Sequence, residues 1–235
     1  MTATPHRIPV ANGESVAAVH HEAPGDDWLV FCHGFLSDKQ GSYEHRCQRA
    51  VEQGYNAVRF DFRGCGDADG RFVDQTLSAK LEDIYAIVDY FDPDSYAVFG
   101  SSFGGKVAFH ATAQDPRVDA VVTRAPVTYN RAFEGYRTTV ERDGECQFET
   151  GDRIDHRFFD DLETHPFADV EASLDVPVAI FHGREDESVD VTDSLEATAR
   201  LETDVLLETF ATEGHRFSRV AEARLLERLF HWLEQ

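Results

Sequence analysis

The chain has 235 residues, with 22 Lys+Arg against 44 Asp+Glu and a formal net charge of −22. No window is basic enough to displace counterions from a phosphate backbone, which excludes nucleic acid as a partner, and an anionic membrane surface would repel such a chain. Hydrophobic residues make up 42%, and 18 Phe are spread along the length, which excludes wholesale disorder and suffices for the core of one domain.

Two short alternating segments, 7–10 and 16–20, flank Asn12-Gly13, a dipeptide that marks a hairpin turn. A different rhythm follows. Short apolar runs alternate with longer amphipathic ones, predicting strand 28–32, helix 43–53, strand 57–60, helix 77–90, strand 96–99, helix 103–113 and strand 120–123. The rhythm stops over residues 126–175. It then resumes with strand 178–181, helix 191–201, strand 205–210 and helix 220–233. Strand–helix alternation with strands apolar on both faces predicts the α/β class, a mostly parallel central sheet covered by helices on both faces.

Residues 126–175 contain no convincing apolar strand. They carry a helical stripe, Tyr129, Phe133, Tyr136 and Val140, spaced by four, three and four. A structureless loop of that length is foreign to a compact domain. The stretch therefore reads as a small helical cap inserted into a single domain spanning 1–235. Its aromatic stripe reads first as packing of the cap on the main domain and second as substrate contact.

Residues 1–10 hold no apolar core of signal-peptide length, and no run approaches the 18 or so apolar residues of a membrane span. A soluble, cytoplasmic protein is expected. The four cysteines, Cys32, Cys47, Cys65 and Cys146, match no zinc spacing, and a reducing compartment argues against disulfides. Cys32 reads as a small core residue.

Strand 96–99 runs into Gly100-Ser101-Ser102-Phe103-Gly104, and a helix follows directly. This is G-x-S-x-G centred on Ser102. A nucleophile on a sharp strand-to-helix turn adopts strained backbone angles, and its neighbours two positions away must be small for helix and strand to pack. Ser101 lacks glycine at that spacing and reads as a packing residue. A phosphate loop is excluded, because the Gly-Lys-Ser/Thr of a Walker motif is missing.

A serine hydroxyl needs a base to take its proton. His215, after Gly214, lies in the loop that follows strand 205–210, at the same sheet edge as Ser102. His231 sits on the last helix, and His20, His21, His45 and His156 read as surface residues. An acid to orient the base is expected from another loop at that edge. After strand 178–181 the chain reads His182-Gly183-Arg184-Glu185-Asp186-Glu187, with Asp190 close behind; spacing from His182-Gly183 favours Asp186 over its acidic neighbours. Developing charge on an attacked carbonyl needs preorganised N–H donors. Phe103, at the start of the helix, offers one. The second candidate is Phe35, in His33-Gly34-Phe35 after strand 28–32, where His33 reads as orienting the loop through hydrogen bonds.

Together these residues resemble the α/β-hydrolase superfamily across nearly the whole chain. Within it, His33-Gly34-Phe35 with Lys39, and Phe60-Asp61-Phe62-Arg63-Gly64-Cys65-Gly66, resemble small-lidded serine esterases, the cinnamoyl/feruloyl esterases and monoacylglycerol lipase-like enzymes. The resemblance implies that fold, a triad in the chain order Ser102, Asp186, His215, and an oxyanion hole of the Phe35 and Phe103 N–H groups. It also implies a scaffold role for Asp61, Arg63, Gly64 and Gly66, with an Arg–Asp pair holding loops near the site. Cys65 and Asp190 depart from it, since relatives often have Ser and Pro there.

The expected function is a serine carboxylesterase acting on small or medium acyl or aromatic esters through an acyl-enzyme. The expected partner is a small-molecule ester, with no cofactor and no metal. A thioesterase, acyltransferase or peptidase would use the same triad; a non-catalytic binding protein of the same fold is the third alternative. Only three lysines are present, Lys39, Lys80 and Lys106. Scarce Lys beside abundant Asp and Glu resembles proteins of salt-loving archaea, whose cytoplasm screens the self-repulsion of an acidic surface.

Overall fold

A computed structural model describes residues 2–235. β1 (Ala3–Pro9) and β2 (Ser15–His21) pair antiparallel. A short 3-10 turn joins them, with Asn12 at φ 60° and Gly13 at φ 76°, the left-handed pair that Asn-Gly predicts. Then follow β3 (Trp28–Cys32), α1 (Ser42–Glu52), β4 (Asn56–Asp61), α2 (Leu77–Phe91), β5 (Tyr96–Ser101), α3 (Phe103–Thr112) and β6 (Val118–Arg124). Residues 126–175 form α4 (Glu134–Asp143), β7 (Glu145–Gln147), β8 (Arg153–Asp155), α5 (His156–Glu163) and α6 (Phe167–Ser173). The chain closes with β9 (Val178–Gly183), α7 (Val191–Arg200), β10 (Val205–Phe210) and α8 (Arg219–Leu233).

Eight strands form one sheet in the order β1-β2-β4-β3-β5-β6-β9-β10. From β4 to β10 neighbours are parallel, and β2 joins β4 antiparallel. Alternate residues of each strand feed opposite faces, as the pleat requires. Leu29, Phe31, Ala97, Phe99 and Phe181 pack with Leu225, Leu226 and Leu229 of α8 and Cys47 and Ala50 of α1. Val30, Cys32, Val98, Val121 and Ile180 pack with Ile84 and Ile87 of α2 and Val107 and Ala108 of α3. This is the predicted α/β class, with helices on both faces.

Three expectations change. Residues 126–175 hold a small antiparallel hairpin, β7 with β8. Its two three-residue strands are too short and too polar to register as an apolar run, and Gly151, at φ 89°, lies between them. His21 is buried rather than a surface residue, because it lies on β2 and its ring accepts a hydrogen bond from Arg59 Nε at 3.2 Å. The Arg–Asp pair expected from Asp61 and Arg63 is not made: Asp61 binds Lys39, and Arg63 binds Asp83. Lys39, Lys80 and Lys106, the three lysines, are all buried. All four cysteines are free and buried. Among the described residues no helix is long and apolar enough to cross a membrane.

Candidate active site

The carboxyl ends of β3, β5, β6, β9 and β10 meet at one edge of the sheet. Phe35 follows β3, Ser102 and Phe103 follow β5, Asp186 follows β9 and His215 follows β10. This is the edge at which open α/β sheets place their ligands.

At the β5–α3 junction Ser102 sits at φ 54°, ψ −120°, a conformation that side-chain-bearing residues rarely adopt. Two glycines permit it. A Cβ on Gly100 would lie 2.2 Å from the Gly104 carbonyl oxygen, and one on Gly104 would lie 2.3 Å from that of Cys32. Main-chain bonds then hold the turn. Ser102 N–H donates to Arg124 O at 3.0 Å, and its carbonyl accepts from Gly105 N at 2.9 Å and Val127 N at 3.0 Å. Ser102 thus projects from a turn with little freedom to relax.

Ser102 Oγ lies 3.0 Å from His215 Nε2, and His215 Nδ1 lies 2.8 Å from Asp186 Oδ2. With Nδ1–H donating to the carboxylate, Nε2 is free to accept the Ser102 hydroxyl proton. Asp186 Oδ1 accepts from Ser188 N at 2.8 Å and Val189 N at 2.9 Å. Its Oδ2 also faces His182 Nε2 at 3.2 Å. Burial alone would raise the Asp186 pKa, but hydrogen bonds from His182, His215 and Val189 hold it well below the usual carboxylate range. Asp186 is therefore ionised around neutral pH. Glu185 and Glu187 are exposed, and Asp190 caps α7 by accepting from Thr192 N at 2.9 Å.

The loop after β3 approaches Ser102 closely, since a Cβ on Gly34 would sit 3.2 Å from Ser102 Cβ. Neither the Phe35 nor the Phe103 N–H donates to another backbone group among the described residues. His33 orients this loop, as expected. It is buried, donates from Nδ1 to Gly34 O at 2.8 Å and accepts at Nε2 from Phe62 N at 3.2 Å. Burial, helped by nearby Lys80, pushes its pKa down to about 3, so the ring is neutral.

Asp61 binds the next stretch of that loop. It accepts from Lys39 N at 2.7 Å, Lys39 Nζ at 2.5 Å and Asp67 N at 2.8 Å. A Cβ on Gly66 would clash with the same carboxylate at 2.3 Å, which accounts for that glycine. Arg63 instead ties the turn to α2, donating to Asp83 Oδ1 at 2.5 Å.

Several residues that sequence reasoning missed stand beneath the site. Ser101 is not merely packing: its Oγ accepts from Arg46 Nη1 at 3.0 Å and lies 3.4 Å from Arg124 Nε. Arg46, fully buried, also pairs with Glu222 at 2.5 Å. Arg124 Nη1 donates to the His215 carbonyl at 2.8 Å, fixing the loop that carries the imidazole. Burial, and next the Arg46 guanidinium, push the Arg124 pKa down. His182 Nδ1 accepts from Ser194 Oγ at 2.7 Å while its Nε2 serves Asp186. The only sequence signal for these was a polar residue inside or beside an apolar strand, as at Ser101 and His182.

Two clefts meet at Ser102 and His215. The smaller, about 610 Å³, runs toward residues 126–175 and is lined there by Val127, Ala132, Phe133 and Tyr136, and by Glu187 and Arg216 on its other side. The larger, about 850 Å³, runs the other way past Arg46, Arg124 and Glu222. The Phe35 ring lies between the donor loop and the inserted segment, with its centroid 5.4 Å from Phe133, 5.4 Å from Phe148 and 5.6 Å from Phe158. Of the predicted stripe, Val140 is buried, Phe133 is buried yet also lines the cleft, and Tyr136 is exposed to it. Among the described residues no three His, Cys, Asp or Glu side chains converge as a metal-ligand group.

Residues 41–235 match the prolyl oligopeptidase family, Peptidase_S9. The mitochondrial palmitoyl-protein thioesterase ABHD10 of Mus musculus is 26% identical over 218 residues, covering 84% of this chain and 72% of that protein. Among solved structures, alpha/beta hydrolase domain-containing protein 10 from mouse superposes with a TM-score of 0.87 at 22% identity, covering 99% of both chains. Est1E of Butyrivibrio proteoclasticus, with bound ferulic acid, gives a TM-score of 0.86 at 21% identity, covering 98% of this chain and 100% of that one. The chain therefore belongs to the prolyl oligopeptidase family and is a hydrolase of the α/β-hydrolase superfamily.

Proposed function

We propose that the chain is a serine hydrolase of carboxylic esters or thioesters, acting through Ser102, His215 and Asp186. The observation that carries this reading is the unbroken line from Asp186 through His215 to a serine held on a strained turn. His215 Nε2 takes the Ser102 proton as Oγ attacks the acyl carbon. The N–H groups of Phe35 and Phe103 receive the negative charge on the carbonyl oxygen. Asp186 fixes the His215 tautomer and stabilises the imidazolium. His215 then passes the proton to the leaving alcohol or thiol, and the acyl-enzyme forms. Water, deprotonated by the same imidazole, releases the acid and returns Ser102.

Residues 126–175 act as a cap within one domain of residues 1–235, and their aromatic cleft receives the apolar part of the substrate. A thioester is supported by the relative named a palmitoyl-protein thioesterase, and an ester by the fold shared with Est1E. Peptide hydrolysis is the second reading, supported by the family match; turnover of an anilide within tenfold of the matching ester would favour it. In Ser102→Ala, p-nitrophenyl acetate turnover should drop by about 10⁴ or more, and labelling by a fluorophosphonate probe should vanish. Retention of most turnover in that variant refutes the assignment.

The acidic balance is read as adaptation to a salt-rich cytoplasm, where screening relieves the repulsion of −22 charges. The unfolding midpoint should rise between dilute buffer and molar KCl. An unchanged midpoint removes that reading and leaves the enzymatic one intact.

A further inference from the structure

Acids outnumber bases twofold here, and the ion pairs reflect it. Among the described residues all but four arginines have a carboxylate within 4.0 Å. The exceptions are Arg124, Arg184, Arg216 and Arg219. Three of them, Arg124, Arg216 and Arg219, line the larger cleft beside Ser102 and His215, and Arg216 stands at the junction, since it lines the smaller cleft too. Arg46 lines it too, and its charge is already matched by Glu222. Asp38 is the other carboxylate on the wall, and its Oδ1 is occupied by Gln40 N at 2.7 Å. Four guanidiniums thus face two carboxylates in one concavity of a strongly acidic protein.

Stability does not account for the placement of Arg216 and Arg219. Arg219 is the first residue of α8, where the helix dipole disfavours a cation. Arg216 and Arg219 are exposed and make no side-chain hydrogen bond among the described residues, although acids are abundant everywhere else. Arg124 is half-buried, and its bonds go to the neutral oxygens of Ser101 and His215. Guanidinium groups left without a carboxylate around a cleft suit the binding of carboxylate or phosphate oxygens.

We infer that the larger cleft is an anion subsite, which holds a carboxylate or phosphate group of the substrate while its apolar part fills the smaller, aromatic cleft. The inference rests on the reading of the chain as an ester or thioester hydrolase and narrows its substrate to esters that are apolar on one side of the carbonyl and anionic on the other. Arg216 and Arg219 approach the anion from the rim, and Arg124 from the wall nearest His215.

The test compares kcat/KM for esters of one apolar acid with alcohols of equal length ending in methyl, carboxylate or phosphate. A mirror set places the charge on the acid, and ionic strength is fixed where the protein is folded. In one set the carboxylate or the phosphate ester should exceed its neutral twin by at least about tenfold, the scale of a charge-assisted contact. The two anionic arms identify which group is preferred. In the double variant Arg216→Gln/Arg219→Gln the anionic-to-neutral ratio should fall at least about fivefold. In Arg184→Gln, which removes an unpaired arginine outside the cleft, it should stay as in the wild type. A wild-type ratio near one, with the neutral esters turned over, overturns the anion subsite and leaves the ester hydrolase standing. Absence of turnover for every ester overturns the underlying reading. An anionic preference that survives the double variant, or falls equally in Arg184→Gln, overturns the assignment to this cleft.

Discussion

The elbow at β5–α3 and the inserted segment 126–175 are held by different physics. At the elbow, backbone presses on backbone. Added Cβ atoms at Gly100 and Gly104 would lie 2.2 and 2.3 Å from main-chain oxygens, and Ser102 is trapped at positive φ. In the insertion, Cβ atoms at Gly135, Gly144 and Gly151 would meet nothing within 4 Å. That segment is held by aromatic rings against Phe35 and by peripheral ion pairs, such as Arg137 with Glu163 at 2.7 Å and Arg157 with Asp74 at 2.8 Å. Such pairs contribute little each. The proposed chemistry therefore stands where the main chain permits one arrangement, and the smaller cleft is walled by side chains that can be exchanged.

The difference can be broken most severely at Gly104. Gly104→Ala should leave no cooperative unfolding transition near the wild-type midpoint, because the backbone of Cys32 and His33 cannot yield to the new methyl. Gly135→Ala, in the first turn of α4, should be neutral or stabilising by up to about 1 kcal/mol. Equal behaviour of the two variants in chemical denaturation would erase the contrast. A smaller effect is expected at Asp186. Asp186→Asn should keep the fold and lower kcat by about 10³–10⁴, as tautomer control of the imidazole is lost; steady-state kinetics with one activated ester decide it. The smallest change belongs to the insertion. Tyr136→Ala should shift the ratio of kcat/KM for long-chain over acetyl esters by about tenfold or less. A ratio unaltered within twofold would detach Tyr136 from selectivity.

What is legible in the sequence follows the same division. Ser102 is legible because its constraint is local: two glycines, a preceding strand and a following helix. Asp186 and His215 are legible by position after strands, even among many acids. Arg46 is not, because its partner Glu222 lies 176 residues away and neither residue carries a local signature. The Asp61–Arg63 pair misleads for a related reason. Proximity in sequence suggests a pair, yet β4 ends at Asp61 and Arg63 lies in the turn beyond it, so Asp61 reaches Lys39 while Arg63 reaches Asp83. The β7–β8 hairpin stays hidden because three-residue strands bury one residue each, Cys146 and Ile154, and leave no periodicity to detect. His182 reads only as the residue that follows strand 178–181, and its bond to Asp186 emerges only when β9 and the following loop fold back.

The interior lysines carry a consequence for how this molecule meets its surroundings. Lys39 is clamped by Asp61 and Asp67, Lys80 lies over the Phe62 ring at 4.3 Å and donates to Gln75, and Lys106 donates to the Thr128 carbonyl at 3.2 Å. Burial brings the Lys106 pKa down to about 8. The described surface therefore offers no side-chain amine to an acylating reagent or an amine-directed crosslinker. Its positive charge is carried by guanidinium groups alone, which resist such chemistry at neutral pH. For an enzyme proposed to work through activated acyl groups, this leaves Ser102 as the acyl acceptor, with no exposed lysine to compete for the acyl group or to be modified by stray acyl donors.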